Sequence, residues 1–321
     1  MKAGRDRGLT TFSAPGDRAI YSIAVSASSN DVLVGQQNDD KNSPTLSAVS
    51  IEDGTPRKVV ERTINYFGTV SKVIASPSSS TLAYVIQRAS SFEAIARNSI
   101  DETSVLLKKD ARPFMQSSMS FSSDGKVLMV GGQELCLFDT RAFGLKKRIN
   151  PYNFGSDLRG DSVITPSAAM SPDGRLAAIG GHRSNVVTIV DLEAEKEARA
   201  LDGPFKGVRQ IEFSPIQNYV AAIDFYGRGL FVWDLKTGER HLPDIFNEVM
   251  SSVWSIRFDP AKPRLAVGYL RSFVSLFSVE SGDELLSDSV HKGRVNDVAF
   301  SPSGDKLLSG AEDGSIVIRM T

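Results

Sequence analysis

Along the chain, short runs of alternating apolar and polar residues are cut at regular intervals by small-residue turns. GLFVWDLKTGE from Gly229, NVVTIVDLEAEKE from Asn185 and FVSLFSVESGDE from Phe273 alternate with a period of two, which in an extended chain sends successive side chains to opposite faces of a sheet. Such runs last about five to eight residues and end at Asp-Gly, Ser-Gly, Thr-Gly or Ser-Pro turns, the chemistry of hairpins. The one helix-like stretch, 192–201, reads better as a turn followed by an outer strand.

Aligning the chain on an apolar run followed by a Ser, Pro or Gly turn brings out one pattern seven times. The clearest copies are IEFSPIQNYVAAI from Ile211, VAFSPSGDKLLSG from Val298 and AAMSPDGRLAAIGG from Ala168. MSFSSDGKVLMVGG from Met119 and IRFDPAKPRLAVG from Ile256 follow, with weaker copies in VIASPSSSTLAYV from Val73 and IAVSASSNDVLVG from Ile23. The spacing, about 40 to 50 residues, is that of the four-stranded blades of a β-propeller.

These residues resemble the WD-repeat (WD40) family, whose signature is a strand ending in FSPDG, a second strand, a tight turn and a third strand ending in Trp-Asp. Trp233-Asp234 gives the dipeptide itself, and Phe138-Asp139 and Val190-Asp191 are weaker forms. The Gly-His that often opens a repeat is missing, His291 being its nearest trace. In the family this His joins a Ser or Thr, an Asp and the Trp in a buried network. The last repeat offers His291, Ser309 and Asp313 but has Arg319 where the Trp is expected, so the network is expected to be broken there, leaving apolar packing to hold the blades.

The resemblance implies an all-β fold: a seven-bladed β-propeller of four-stranded antiparallel blades, a single domain over 1–321. The seventh repeat stops after the strand expected at 315–320 and supplies three strands. Residues 8–14, GLTTFSA, precede the first blade and are free to supply the fourth, closing the ring and limiting exposed edges. Six blades plus an irregular pair is the alternative. The copies nearly fill the chain and leave little room for an appended catalytic domain.

Charge and composition narrow the partners. Against 37 Lys and Arg stand 38 Asp and Glu, a net charge of −1, which sets up no global field toward nucleic acid or an anionic membrane. A single cysteine, Cys136, forms no disulfide framework or cysteine-cluster zinc site and fits a reducing compartment, with cytoplasm the expectation. The N-terminal stretch lacks the apolar core of a signal peptide, and no uncharged apolar run reaches membrane-spanning length.

The search for chemistry returns little. His182, His241 and His291 lie in different repeats without paired-ligand spacing, so no metal and no cofactor are expected. Cys136, within ELCLFD, reads as a small buried side chain rather than a nucleophile. Ser123-Asp124-Gly125 and Pro172-Asp173-Gly174 are the turns the repeat requires, and Asn38-Asp39-Asp40-Lys41-Asn42 reads as a hairpin tip rather than a calcium loop. Arg159-Gly160-Asp161 is a chance adhesion tripeptide. Trp233-Asp234-Leu235-Lys236 and Phe138-Asp139-Thr140-Arg141 resemble a motif by which some family members dock onto ubiquitin-ligase adaptors, but a third strand followed by a basic turn accounts for both.

Propeller blades point their first strands at a central channel, and the family uses the channel rim for recognition. The residues leading into those strands align as Tyr21, Ser71, Ser117, Pro166, Arg209, Trp254 and Asn296. Tips between second and third strands add Phe225, Tyr226, Arg228, Tyr269 and Arg271 over blades five and six. Aromatic and guanidinium groups of this kind dominate interface hot spots. The expectation is therefore a noncatalytic scaffold that binds a protein or acidic peptide through Tyr21, Arg209, Phe225, Tyr226, Arg228, Trp254, Tyr269 and Arg271. The two alternatives are a propeller enzyme of the lactonase or quinoprotein kind, whose site needs converging carboxylates or histidines, and a phosphoinositide-binding propeller, whose paired-arginine FRRG hallmark is absent.

Overall fold

The computed structural model describes residues 8–37, 45–62, 68–88, 91–98, 100, 102–110, 118–154, 167–181, 184–203, 206–242 and 252–321. Seven antiparallel sheets follow one another along the chain. Each opens on one copy of the repeat, with first strands Ile20–Val25, Thr69–Ala75, Met119–Phe121, Ser167–Met170, Val208–Phe213, Val253–Phe258 and Val295–Phe300. Consecutive first strands touch one another all the way round, the seventh against the first, so the sheets form a closed ring of blades. The stretch at 192–201 is a turn leading into the outer strand Lys196–Asp202 of blade four.

Closure falls where the sequence left a strand short. Blade seven supplies Val295–Phe300, Lys306–Ala311 and Ser315–Met320, and Leu9–Ser13 completes it, pairing from Leu9 with Arg319 to Ser13 with Ser315. Blade five has three strands in its sheet, ending with Leu230–Asp234, and the place of its outer strand is marked by an isolated bridge between Trp233 and Arg240.

Period-two alternation within blades that are covered on both faces explains the near-continuous burial of their middle strands. Apolar clusters lie between neighbouring blades. One joins Val187, Ile189 and Leu201 of blade four to Ile211, Phe213, Val220 and Trp233 of blade five. Another closes the ring by joining Leu308, Ile316 and Ile318 of blade seven to Ile20, Ile23, Val32 and Val34 of blade one. Trp233 is 1% exposed, and its indole N–H donates to the Asp202 carbonyl of the preceding blade at 3.2 Å. Cys136 is buried in the cluster between blades two and three, and burial raises its thiol pKa.

The Ser-x-Asp-Gly signature acts at the turn between first and second strands. In blade three the Ser122 hydroxyl donates to Asp124 at 2.7 Å and accepts from the Val127 N–H at 3.0 Å, while Gly125 takes φ +67°. The Ser122 bond, and then the Lys126 N–H at 3.0 Å, hold the Asp124 carboxyl down at a pKa of about 2. Only a residue without a Cβ reaches that φ cheaply. Gly180 serves a different need: a Cβ there would sit 2.5 Å from the Val208 side chain of the next blade.

The network expected to be broken in the last repeat is intact in three of its members. Buried His291 lies 2.7 Å from the hydroxyls of both Ser309 and Ser315, and Ser315 donates to Asp313 at 2.6 Å. Because the Ser315 proton is committed to Asp313, the imidazole carries its hydrogen on Nδ1 and accepts from Ser309 at Nε2. The additional serine, Ser315, carries the link that direct His–Asp contact, at 3.6 Å, does not. Arg319 stands outside this network and pairs with Asp288 of blade six.

Candidate binding site at the channel mouth

A channel of about 630 Å³ runs through the ring, lined by the first strands and the turns that follow them. Three levels can be read off the aligned repeats.

At the mouth, Tyr21, Ser71, Arg209, Trp254 and Asn296 line the opening. Ser117 and Pro166 lie outside the described residues, as do His182, 38–42 and 159–161. Arg209 of blade five stacks on the Trp254 ring of blade six, its guanidinium carbon 3.3 Å from the ring centroid. From blade seven, Arg294 lies over the same ring at 4.2 Å. A guanidinium over an indole is worth about 0.5–2 kcal/mol, more as it is desolvated. Burial first, and then the neighbouring charge of Arg294, bring the Arg209 pKa down to about 10, so it stays charged at neutral pH. Arg294 is held by Asn296 at 2.7 Å and Glu312 at 3.1 Å, and Tyr21 donates to Gln37 at 2.8 Å.

One step deeper, a polar side chain hands over to the next blade's backbone at several seams. Ser22 accepts from the Val73 N–H at 3.1 Å, Ser118 from Ala168 at 2.8 Å, Gln210 from Ile256 at 3.2 Å and Asp297 from Ile23 at 3.2 Å. Asp297 also accepts from the Ser22 hydroxyl at 2.6 Å, which ties blade seven to blade one at the ring closure.

The third level carries Ala24, Ile74, Ser120, Ala169 and Ala299, but Glu212 and Arg257 on blades five and six. Arg257 bonds Glu212 at 3.3 Å and lies 3.5 Å from Asp297, and the Lys72 ammonium of blade two is 3.5 Å from the same carboxylate. Two cations and two carboxylates thus form a continuous chain across blades five, six, seven and two, half-buried in the channel wall around the buried Asp297. Burial lowers the Lys72 pKa and raises that of Glu212; for Arg257 the two carboxylates outweigh burial and raise it.

The tip residues behave differently from those at the mouth. Phe225 and Tyr226 meet edge to face at 5.6 Å, Tyr226 is 53% exposed, and Arg228 lies 5.7 Å from its ring. Arg271 is exposed on the neighbouring blade. None of these lines the channel. Tyr269 is a correction: at 4% exposure it packs in the apolar cluster between blades five and six, and burial raises its pKa. As the last residue of strand Arg264–Tyr269 it follows strand alternation inward rather than joining the tip.

Sequence reasoning missed Arg294, Lys72, Glu212, Arg257 and Asp297. A signal existed for four of them: charged residues stand at aligned positions where other copies carry Ser, Ala or Ile. Arg294 lies two residues ahead of the aligned rim and carried no such mark. Among the described residues no group of three or more His, Cys, Asp or Glu could hold a metal ion, and no helix is long and apolar enough to cross a membrane.

A closed ring of seven such blades defines a β-propeller, with Ser-x-Asp-Gly turns in blades three and four. The chain is a WD40-type seven-bladed propeller with degenerate repeats: the family described as WD domain, G-beta repeat matches residues 282–318. It is 20% identical over 219 residues to the Periodic tryptophan protein 2 homolog of Dictyostelium discoideum, covering 67% of this chain and 23% of that protein. It is 37% identical over 70 residues to the Probable cytosolic iron-sulfur protein assembly protein 1 of Candida glabrata, 21% of each. With the Serine-threonine kinase receptor-associated protein of Gallus gallus it shares 25% identity over 211 residues, 66% of this chain and 56% of that one. The chain therefore spans less than two thirds of each of these relatives. A chain from the solved structure "Crystal Structure of Mitotic Checkpoint Complex" matches its fold with a TM-score of 0.73 at 18% identity, over 100% of this chain and 95% of that one.

Proposed function

We propose that residues 1–321 form one propeller domain that works as a noncatalytic docking platform, binding a protein partner through the channel rim over blades five and six, with an acidic peptide segment as the element bound. The observation that carries this reading is the contact of Arg209 with Trp254 across adjacent blades at the channel mouth, 3.3 Å from guanidinium to ring. A large flat ring and a guanidinium fork, held in place before binding, bury area and form charge-assisted bonds with few torsions left to freeze. Exposed Tyr226, Arg228 and Arg271 extend the same character outward. Similarity to WD-repeat proteins, one of them named as receptor-associated, supports a role in protein interaction. The near-balance of charge is the reason to favour protein over nucleic acid or membrane, and the single cysteine the reason to favour a cytoplasmic setting.

The test is affinity purification from the native cell with mass spectrometry, comparing wild type with Arg209→Ala combined with Trp254→Ala, after circular dichroism and melting have verified folding. The partners retained by wild type are expected to be lost from the variant. An unchanged set of partners would refute this location.

A further inference from the structure

The mouth carries hydrogen-bond donors whose acceptors are missing. Among the described residues the Arg209 guanidinium makes no hydrogen bond and no ion pair, and the Trp254 indole N–H makes no hydrogen bond. The neighbouring Arg294, Asn296, Tyr21 and Gln210 are committed to other partners. Arg294 donates to Asn296 and Glu312, Asn296 donates to the Ile20 carbonyl at 2.6 Å, Tyr21 donates to Gln37, and Gln210 both donates to and accepts from Ile256. Asp224, the nearest acidic influence on Arg209, accepts from the Arg228 N–H at 2.5 Å and makes no contact with the guanidinium. The deeper charges Lys72, Glu212, Arg257 and Asp297 cancel among themselves. What is left over is a planar fork with one unit of positive charge, and beside it an indole donor.

The ring itself is spoken for. Guanidiniums from blades five and seven both lie over Trp254, so an approaching cation meets like charge at a ring already in cation–π contact. Aromatic rings that receive lysine or arginine need that face free. The same two arginines make the mouth attractive to an anion and hostile to a base.

We propose that the Arg209–Trp254–Arg294 cluster is a receptor for a single carboxylate, which takes a bidentate pair of bonds from the Arg209 fork while Arg294 and Glu312 hold the indole in place. One fork without a carboxylate matches one planar monoanion; a phosphate dianion would leave a net negative charge against the buried wall of the channel. This deepens the docking reading and rests on it for its biological meaning, but its chemistry is tested separately. The carboxylate could be an Asp or Glu side chain or the free end of a partner chain.

The protein has two tryptophans, and Trp233 is 1% exposed, so Trp254 is a built-in reporter. The whole protein is labelled with 5-fluorotryptophan, and its fluorine spectrum is followed while three blocked peptides are added: Ac-Gly-Glu-Gly-NH2, Ac-Gly-Gly-Gly-OH and Ac-Gly-Gln-Gly-NH2. Inorganic phosphate and methylammonium are added at matched ionic strength. A saturable shift of the Trp254 resonance with either acid peptide, absent with the glutamine peptide and methylammonium and weaker with phosphate, is the expected result. Which acid peptide binds identifies the source. Arg209→Gln is expected to weaken the shift by at least about tenfold, the usual worth of a charge-assisted pair. An unsaturable response to both acid peptides, an equal response to the glutamine peptide, or full retention in Arg209→Gln would overturn the proposal. If the peptides bind but partner capture is unchanged in the Arg209 and Trp254 variant, the docking reading fails while the carboxylate site stands.

Discussion

Removing the charge of Asp297 is the sharpest probe of what holds the ring shut. Its side chain is 4% exposed and accepts from Ser22 and from the Ile23 backbone of blade one, while facing Lys72 of blade two and Arg257 of blade six at 3.5 Å each. Asp297→Asn keeps the shape but leaves Lys72, 19% exposed, without its carboxylate and Arg257 with Glu212 alone. Deleting one partner of a buried ion pair costs about 3–5 kcal/mol, because the remaining charge stays buried. With an unfolding entropy of roughly 2.1 cal/mol/K per residue, 321 residues convert that loss into a fall in Tm of about 4–7 °C. Calorimetry or dye-monitored melting reads it directly. Lys72→Met added to Asp297→Asn removes the stranded ammonium and is expected to restore about half the loss. The reasoning is refuted if the single variant melts within about 1 °C of wild type, or if the double variant is no more stable than the single.

Three further outcomes follow from the same structure. Arg264→Ala strips the fully buried Asp259 of a two-nitrogen partner that also reaches Gly304 and Thr321 of blade seven, and is expected to cost about 3 kcal/mol in urea melts; Lys126→Ala, whose pair with Asp124 is more than half exposed on both sides, is expected to cost under about 0.5. Burial lowers the His291 pKa below its ordinary 6.5, so the unfolded chain binds its proton first as pH falls; this contribution is full above about pH 6.5 and declines below it, and Tm measured from pH 5 to 8 should show a slope there that His291→Gln removes. Deleting residues 1–13 exposes the edge of strand Ser315–Met320 that Leu9–Ser13 covers, and light scattering is expected to show concentration-dependent association that the full chain lacks.

The ring was legible because it is a matter of period. Alternation located the strands, Ser-Pro and Asp-Gly turns located the hairpins, and the missing strand of the last copy pointed to Leu9–Ser13. The mouth was half legible. Alignment on the turn placed Arg209 and Trp254 on adjacent first strands, since strands in register carry aligned residues to the same height. It failed for Tyr269, because a residue at the end of a strand faces in or out by alternation, and sequence placed it with the tip instead. It failed for Arg294 because a long side chain reaches back over its neighbour's ring, and for His291 because a serine outside the expected set, Ser315, bridges the imidazole to Asp313. The charged chain from Glu212 to Lys72 joins four repeats at once, and no single copy displays it.

Leu9–Ser13 pairs with Ser315–Met320, so a strand made before blade one waits for the third strand of blade seven. Some 300 residues separate the partners, and until they have been made blade one has no blade seven to pack on. The seam at Ile20, Ile23, Leu308 and Ile316 stays open to water until then. Completion of the ring is thus a timed event: six interfaces can form in order as the chain grows, whereas the seventh and the two-ended blade beside it can assemble only once Ser315–Met320 has been made.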